Sequence, residues 1–168
     1  MRQVDIKIFD NAFMKKLAYR SRKSVRRRES YNIHENFDEP CQRLFNAIQS
    51  DSYIRPHRHM LDPKEELLVC ISGKIGLVIF DDFGAIIDLI VLTAGVDANQ
   101  AISAVEIAPH VWHTAIALQP DCILLEIKAG PFDQSLAKDS APWAPAENTV
   151  AAKAFLLRLK ENFRFCAL

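Results

Sequence analysis

From residue 67 to residue 128 the chain is a succession of short apolar runs cut by turn residues, and nothing between them has the length or the 3.6-residue period of a helix. Runs at 67–72 and 75–80 are split by Gly73 and Gly76. Asp81-Asp82-Phe83-Gly84 forms a turn that hands over to 85–92, and the small, polar stretch 93–100 reads as a loop. Runs at 102–107, 112–118 and 122–128 continue the series, the last two joined through Gln119-Pro120-Asp121. Counting an extended piece from Tyr53, roughly seven strands follow one another without a helix, which argues an all-β sandwich or barrel rather than an α/β sheet.

The flanks read differently. Asp10 caps a short helix with Phe13 and Leu17 on one side, widened by Met14 and Ala18. A second helix is expected after Asp38 and Pro40, because Cys41, Leu44, Phe45 and Ile48 recur at i, i+3, i+4 and i+7. Beyond Phe132 a proline-bearing segment should wrap the barrel. A closing helix then places Ala152, Phe155, Leu156, Leu159 and Phe163 along one face. The expected division is an N-terminal helical and basic arm over 1–50, a β-barrel over 51–132, and the wrapping segment with its helix over 133–168, all in one structural domain.

At 168 residues, with 49% hydrophobic and 25% charged content, the chain can bury one sizeable core. No apolar run reaches the roughly 20 residues of a membrane helix, and the first residues lack the order of a signal peptide, so no membrane contact and a cytoplasmic location are expected. Cys41, Cys70, Cys122 and Cys166 are scattered singly and read as free thiols in a reducing compartment. Net charge is zero but uneven. Lys15, Lys16, Arg20, Arg22, Lys23, Arg26, Arg27 and Arg28 form a block of eight cations without an acid, leaving a net −8 on the rest. Without interleaved aromatics, and on an otherwise acidic chain, the block does not point to nucleic acid. It reads either as a solvated arm or as an anion site in which Arg26, Arg28 and Arg55 converge on a phosphate or carboxylate.

The residues with metal chemistry lie just before the strands. His57 and His59 follow Pro56 at a spacing of two, Glu66 opens the next apolar run, and His113 begins a later strand after Pro109. Strand alternation would put Tyr53, Arg55, His57 and His59 on one face. Imidazoles with one carboxylate suit zinc, nickel, copper, iron or manganese and leave coordination positions for water or substrate. Glu65 competes with Glu66 as the carboxylate. Tyr53 and Glu126 are the acid–base candidates, Glu126 sharing a strand face with Leu124 and Lys128. His34 is either a loop histidine or a residue folding over the barrel mouth toward substrate. His110 reads as a solvated turn residue.

His57-x-His59, Glu66, six residues, Gly73, and later Pro109 to His113 resemble the two motifs of the cupin superfamily. Two departures stand out: six residues separate His59 from Glu66 where three or four are usual, and His110 and Val111 occupy a turn that normally carries glycine. Further stretches extend the likeness: Arg26-Arg27-Arg28 before Asn32-Ile33-His34, Ser52-Tyr53-Ile54-Arg55-Pro56-His57-Arg58-His59, Trp112-His113-Thr114, Glu126-Ile127-Lys128-Ala129-Gly130-Pro131-Phe132, and Ala141-Pro142-Trp143-Ala144-Pro145-Ala146-Glu147. Together they resemble the WbuC family of cupin-fold metalloproteins. That resemblance implies a mainly β, double-stranded β-barrel (jelly roll) with flanking helices, and one divalent metal (zinc, nickel, iron or manganese) held by His57, His59, Glu66 and His113. It also implies an association with bacterial surface-polysaccharide (O-antigen) genes, and strand edges that pair into a homodimer. The expected partner is a small anionic ligand, a sugar derivative, bound by Arg26, Arg28, His34 and Arg55. It would be isomerised or epimerised, or else bound without turnover.

Overall fold

The computed structural model describes residues 6–95 and 101–164. Cys166 and the second half of the 93–100 loop lie outside them. The elements run α1 (Asn11–Lys23), β1 (Arg28–Asn32), β2 (Cys41–Ile48), β3 (His57–Arg58), β4 (Glu66–Ser72), β5 (Lys74–Phe80), β6 (Ile86–Thr93), β7 (Ala104–Ile107), β8 (Trp112–Ala117), β9 (Cys122–Ala129), β10 (Asp139–Ser140) and α2 (Val150–Asn162). Two five-stranded antiparallel sheets result, ordered β1-β2-β9-β4-β7 and β10-β3-β8-β5-β6. This is a jelly-roll sandwich with a helix at each flank, as the series of short apolar runs led us to expect.

Alternation along the strands sorts side chains into three apolar layers. Ile48, Leu68, Cys70 and Leu124 of the first sheet meet Ile75, Leu77, Leu92 and Ala117 of the second between the sheets. On the outer side of the first sheet, Phe45, Ala47 and Ile123 pack under Leu17 of α1. Outside the second sheet, Val78, Phe80, Trp112 and Ile116 pack under Ala152, Leu156 and Leu159 of α2 and the adjoining Phe163. Each helix covers one outer face, so the sandwich interior is left to the strands alone.

Both helix starts follow from their caps. The Asp10 carboxylate accepts from the Phe13 N–H at 2.8 Å, and the Thr149 hydroxyl accepts from the Ala152 N–H at 3.1 Å. The helix expected after Asp38 does not form. Residues 41–48 are β2 instead, laddered to β1 on one side and to β9 on the other. The same residues fit a period of two: Gln42, Leu44, Asn46 and Ile48 face inward, while Phe45 and Ala47 face α1. Backbone pairing on both edges overrides the helical spacing, which is short enough to be ambiguous.

Two glycines fix close approaches. Gly73, at φ +81°, makes the tight turn between β4 and β5. At Gly76 an added Cβ would stand 2.6–2.9 Å from the Phe163 ring, so the glycine is what lets the end of α2 seat on β5. Gly76→Ala should lower stability by about 1–3 kcal/mol in urea denaturation. The loss should shrink in a Gly76→Ala/Phe163→Leu double variant, and strictly additive losses would show that the two residues do not touch.

Candidate metal centre

β3 and β8 are paired so that His57 lies directly opposite His113. That register brings the two imidazoles to a ring separation of 4.6 Å. His59 follows β3, and its backbone N–H donates to Pro109 O at 2.8 Å, tying the residue to the turn before β8. Glu66 opens β4 and enters from the facing sheet. All four are buried, with exposures of 5%, 1%, 3% and 2% for His57, His59, Glu66 and His113. Each offers one ligand atom, and these atoms lie within 4.8 Å of one another. Glu65, the rival carboxylate, is exposed, as is His110, and neither belongs to the cluster.

The tautomers follow from the backbone. Nδ1 of His57 lies 3.0 Å from Arg55 O, Nδ1 of His59 2.7 Å from Ala137 O, and Nδ1 of His113 2.9 Å from Val111 O. A carbonyl oxygen only accepts, so each Nδ1 carries the proton, and in the neutral ring each Nε2 carries a lone pair. Nε2 of His113 is 3.2 Å and Nε2 of His59 3.4 Å from Glu66 Oε2. Two lone pairs facing one carboxylate require a cation among them, either protons on the rings or a metal ion. His59 Nε2 is buried without a hydrogen-bond partner among the described residues, so this donor set fits a metal ion. Burial, with Lys138 and His113 adding positive charge, holds the His57 pKa well below 6.5, keeping its lone pair free.

The cluster forms one wall of a cavity of about 520 Å³ between the sheets, lined further by β1, β2 and β9. Glu66, Lys128 and Gln42 lie in one cross-strand row over β4, β9 and β2, and Glu126 sits in the next inward row between Leu68 and Leu44. Burial opposes ionisation of Glu66, but the His113 and His59 imidazoles beside it outweigh that cost and pull its pKa well below 4.5. Glu126 moves the other way: burial, the Glu66 charge and a hydrogen bond to Glu66 push it up to about 8. Asn46 Nδ2 donates to Glu126 Oε2 at 2.9 Å, which fixes the carboxyl group in place. The Lys128 ammonium lies 3.2 Å from His59 Nδ1. Because that nitrogen's proton already goes to Ala137 O, Lys128 acts there as a buried positive charge and not as a donor.

Several residues expected near the ligands are placed otherwise. Tyr53 does not share their face: its hydroxyl donates to Pro145 O at 3.0 Å and its ring packs edge-on to Phe155 of α2. Burial, reinforced by the Glu147 charge against that of Arg55, pushes its pKa to about 12. Arg55 donates to Ala141 O at 2.7 Å and is not part of the cavity wall. Alternation fails for both because the strand begins only at His57, so residues 53–56 carry no ladder to impose a period of two. Arg28 lines the cavity but is clamped bidentately by Glu147 at 2.7 and 2.8 Å. Arg26 and His34 also line the cavity, the first exposed and the second buried. Three further lining residues, Lys128, Lys138 and Gln42, were not singled out from the sequence. Lys128 was findable, because it shares its strand face with Glu126; Gln42 was hidden by the helical reading of β2.

The family model described as "Domain of unknown function (DUF6016)" matches residues 9–92, half of the chain. The chain belongs to this family. No curated protein matches this DUF6016 chain. Among solved structures, a conserved protein with a double-stranded β-helix domain from Klebsiella pneumoniae is similar at a TM-score of 0.55 and 16% identity, covering 82% of this chain and 98% of that one. The conserved SPY1581 protein of unknown function from Streptococcus pyogenes is similar at a TM-score of 0.50 and 10% identity, covering 79% and 95%. Oxalate decarboxylase from Bacillus subtilis gives a TM-score of 0.50 and 15% identity over 67% of this chain, which spans only 27% of that enzyme. These likenesses establish the cupin-type double-stranded β-helix fold of the DUF6016 chain. Among the described residues, no helix is long and apolar enough to cross a membrane.

The raised Glu126 pKa has a sign that can be measured. Its folded value of about 8 lies above 4.5, so the folded state holds a proton that the unfolded chain releases between those values, and stability falls as pH rises through the window. His57 acts oppositely, its depressed pKa costing stability as pH falls through 6.5. In chelator-treated protein, wild type should therefore lose stability relative to Glu126→Gln as pH rises from 5 to 8. Parallel curves in urea denaturation would mean that Glu126 ionises normally.

Proposed function

We propose that this chain is a cupin metalloprotein that binds one divalent metal through His57, His59, Glu66 and His113 and acts on a small anionic, sugar-type metabolite by isomerisation or epimerisation. The observation that carries the reading is the gathering of His57, His59, His113 and the Glu66 carboxylate with their ligand atoms within 4.8 Å of one another, each imidazole set by an Nδ1–H bonded to a backbone carbonyl. Three imidazoles and one carboxylate suit zinc, nickel, iron or manganese. Bound there, such an ion would serve as a Lewis acid toward a ligand oxygen.

The chain's own residues supply the rest. Lys128 and Lys138 line the cavity and, with Arg26 nearer solvent, favour an anion. Glu126 stands beside the cluster without belonging to it and keeps its proton up to about pH 8. With a pKa near the working pH, its ionised form can take a proton from a carbon acid and the acid so formed can return it, which a 1,2-shift or epimerisation requires. An acid–base residue separate from the ligand set favours an enzyme over a barrel that only binds. The resemblance to the WbuC family supports a place in bacterial surface-polysaccharide (O-antigen) synthesis, in the cytoplasm.

Metal analysis tests the reading. Purified wild type should carry about one divalent ion per chain, and His57→Ala and His113→Ala should lose it. Free metal at about 100 times its Kd should raise folding stability by about 2.7 kcal/mol over chelated protein. Sub-stoichiometric metal in wild type, or unchanged content in the variants, would remove the basis of the proposal.

A further inference from the structure

Across the sheet from the metal centre, two residues that line the cavity each hold a buried polar atom with no partner among the described residues. Gln42 is 3% exposed and His34 6%, and both line the cavity. Gln42 Nε2 lies 2.9 Å from Glu39 O and 3.1 Å from Phe37 O, and carbonyl oxygens on that side identify it as the amide nitrogen. The other end of the amide, Oε1, is therefore an acceptor, and it has no partner among the described residues. His34 is fixed to the next residue of the same strand. His34 Nδ1 lies 2.9 Å from Arg43 O, which also accepts from the Ile33 N–H at 2.8 Å, and 3.0 Å from the Arg43 N–H. Both backbone groups of Arg43 thus hold the ring, and His34 Nε2, a donor in one tautomer and an acceptor in the other, is buried with no partner among the described residues.

Buried donors and acceptors are rarely left unpaired, and when they line a cavity a ligand is the natural partner. We propose that His34 Nε2 and Gln42 Oε1 form a hydroxyl-reading subsite for the polyhydroxylated end of a sugar acid whose carboxylate lies at the Lys128 end of the cavity. The proposal rests on the metal-site reading only for the position of the anionic end. A hydroxyl both donates and accepts, so it can donate to Gln42 Oε1 and pair with His34 Nε2 in either tautomer, whereas a fully ionised phosphate ester has no proton to donate to Gln42. The row Glu66–Lys128–Gln42 spans two strand spacings, about 10 Å, which is the reach of an extended six-carbon acid with its contacts. Phe37 and Phe132, with ring centroids 5.0 Å apart, line the same cavity and give an apolar wall for the C–H face of such a ligand. Phe37 O accepts from both Gln42 Nε2 and the Phe132 N–H, at 3.1 and 2.7 Å, so the wall and the amide are held as one unit.

Isothermal titration of metal-loaded protein with D-glucuronate, D-galacturonate and D-gluconate, against hexanoate as the hydroxyl-free acid of equal length, tests the subsite. At least one hydroxy acid should bind ten times or more tighter than hexanoate. His34→Asn keeps a polar partner for the Arg43 backbone and removes Nε2; Gln42→Leu removes the Oε1 acceptor. Each variant should erase most of that preference while leaving hexanoate affinity and metal content as in wild type. His34→Asn keeps the test valid should Gln42→Leu fail to fold, since Gln42 also braces the 36–39 turn. Equal binding of all four acids, no binding of any hydroxy acid, or preference unchanged in His34→Asn would overturn the proposal. Repeating the titration on chelated protein separates the two readings. Hydroxyl preference that persists without metal leaves the subsite standing whatever metal analysis shows.

Discussion

Three hydrogen bonds from imidazole Nδ1 to backbone carbonyls are the constraint on which the rest of the site depends. The acceptors belong to three separate stretches: Arg55 before β3, Val111 before β8, and Ala137 in the segment that wraps back past the sheets. Each bond fixes a ring's tautomer and its rotation together, so the Nε2 lone pairs meet at one point without any flexible side chain having to find it. The segment beyond the barrel is thereby part of the site, since without Ala137 O the His59 ring would be free to take the other tautomer.

The sandwich gives these bonds their rigidity. Both outer faces are sealed by helices, α1 over Phe45 and Ile123 and α2 over Val78, Phe80 and Trp112, so the apolar inner layer and the polar cavity share the space between the sheets. Glu66 and Glu126 show what that shared space does to two carboxyl groups on neighbouring strands. The first is held charged by imidazoles and the second is held protonated by burial and by the first. Environments that drive two like groups apart in this way are how one pocket provides both a ligand and a proton carrier.

Much of this was legible in the sequence, and the failures have physical causes. The strand series and the closing helix were readable because apolar periods repeat over many residues. His57, His59 and His113 stood out by spacing, and the structure brings them together; the choice of Glu66 over Glu65 needed the strand start, which buries one and exposes the other. The 41–48 segment was misread because eight residues fit both periods, and only pairing on two edges decides between them. Tyr53 and Arg55 were assigned to the ligand face by a period that holds only inside a ladder. Gln42 was lost with β2, and His34 is held by the backbone of Arg43, nine residues away, which no pattern announces.

X-ray absorption at the edge of the bound metal tests the central claim most directly. The account predicts nitrogen and oxygen neighbours only, at about 2.0–2.2 Å, with the multiple-scattering signature of three imidazoles and no sulfur. The imidazole signal should fall by one ring in a His59→Gln variant. Sulfur at about 2.3 Å, or a spectrum without imidazole scattering, would contradict it.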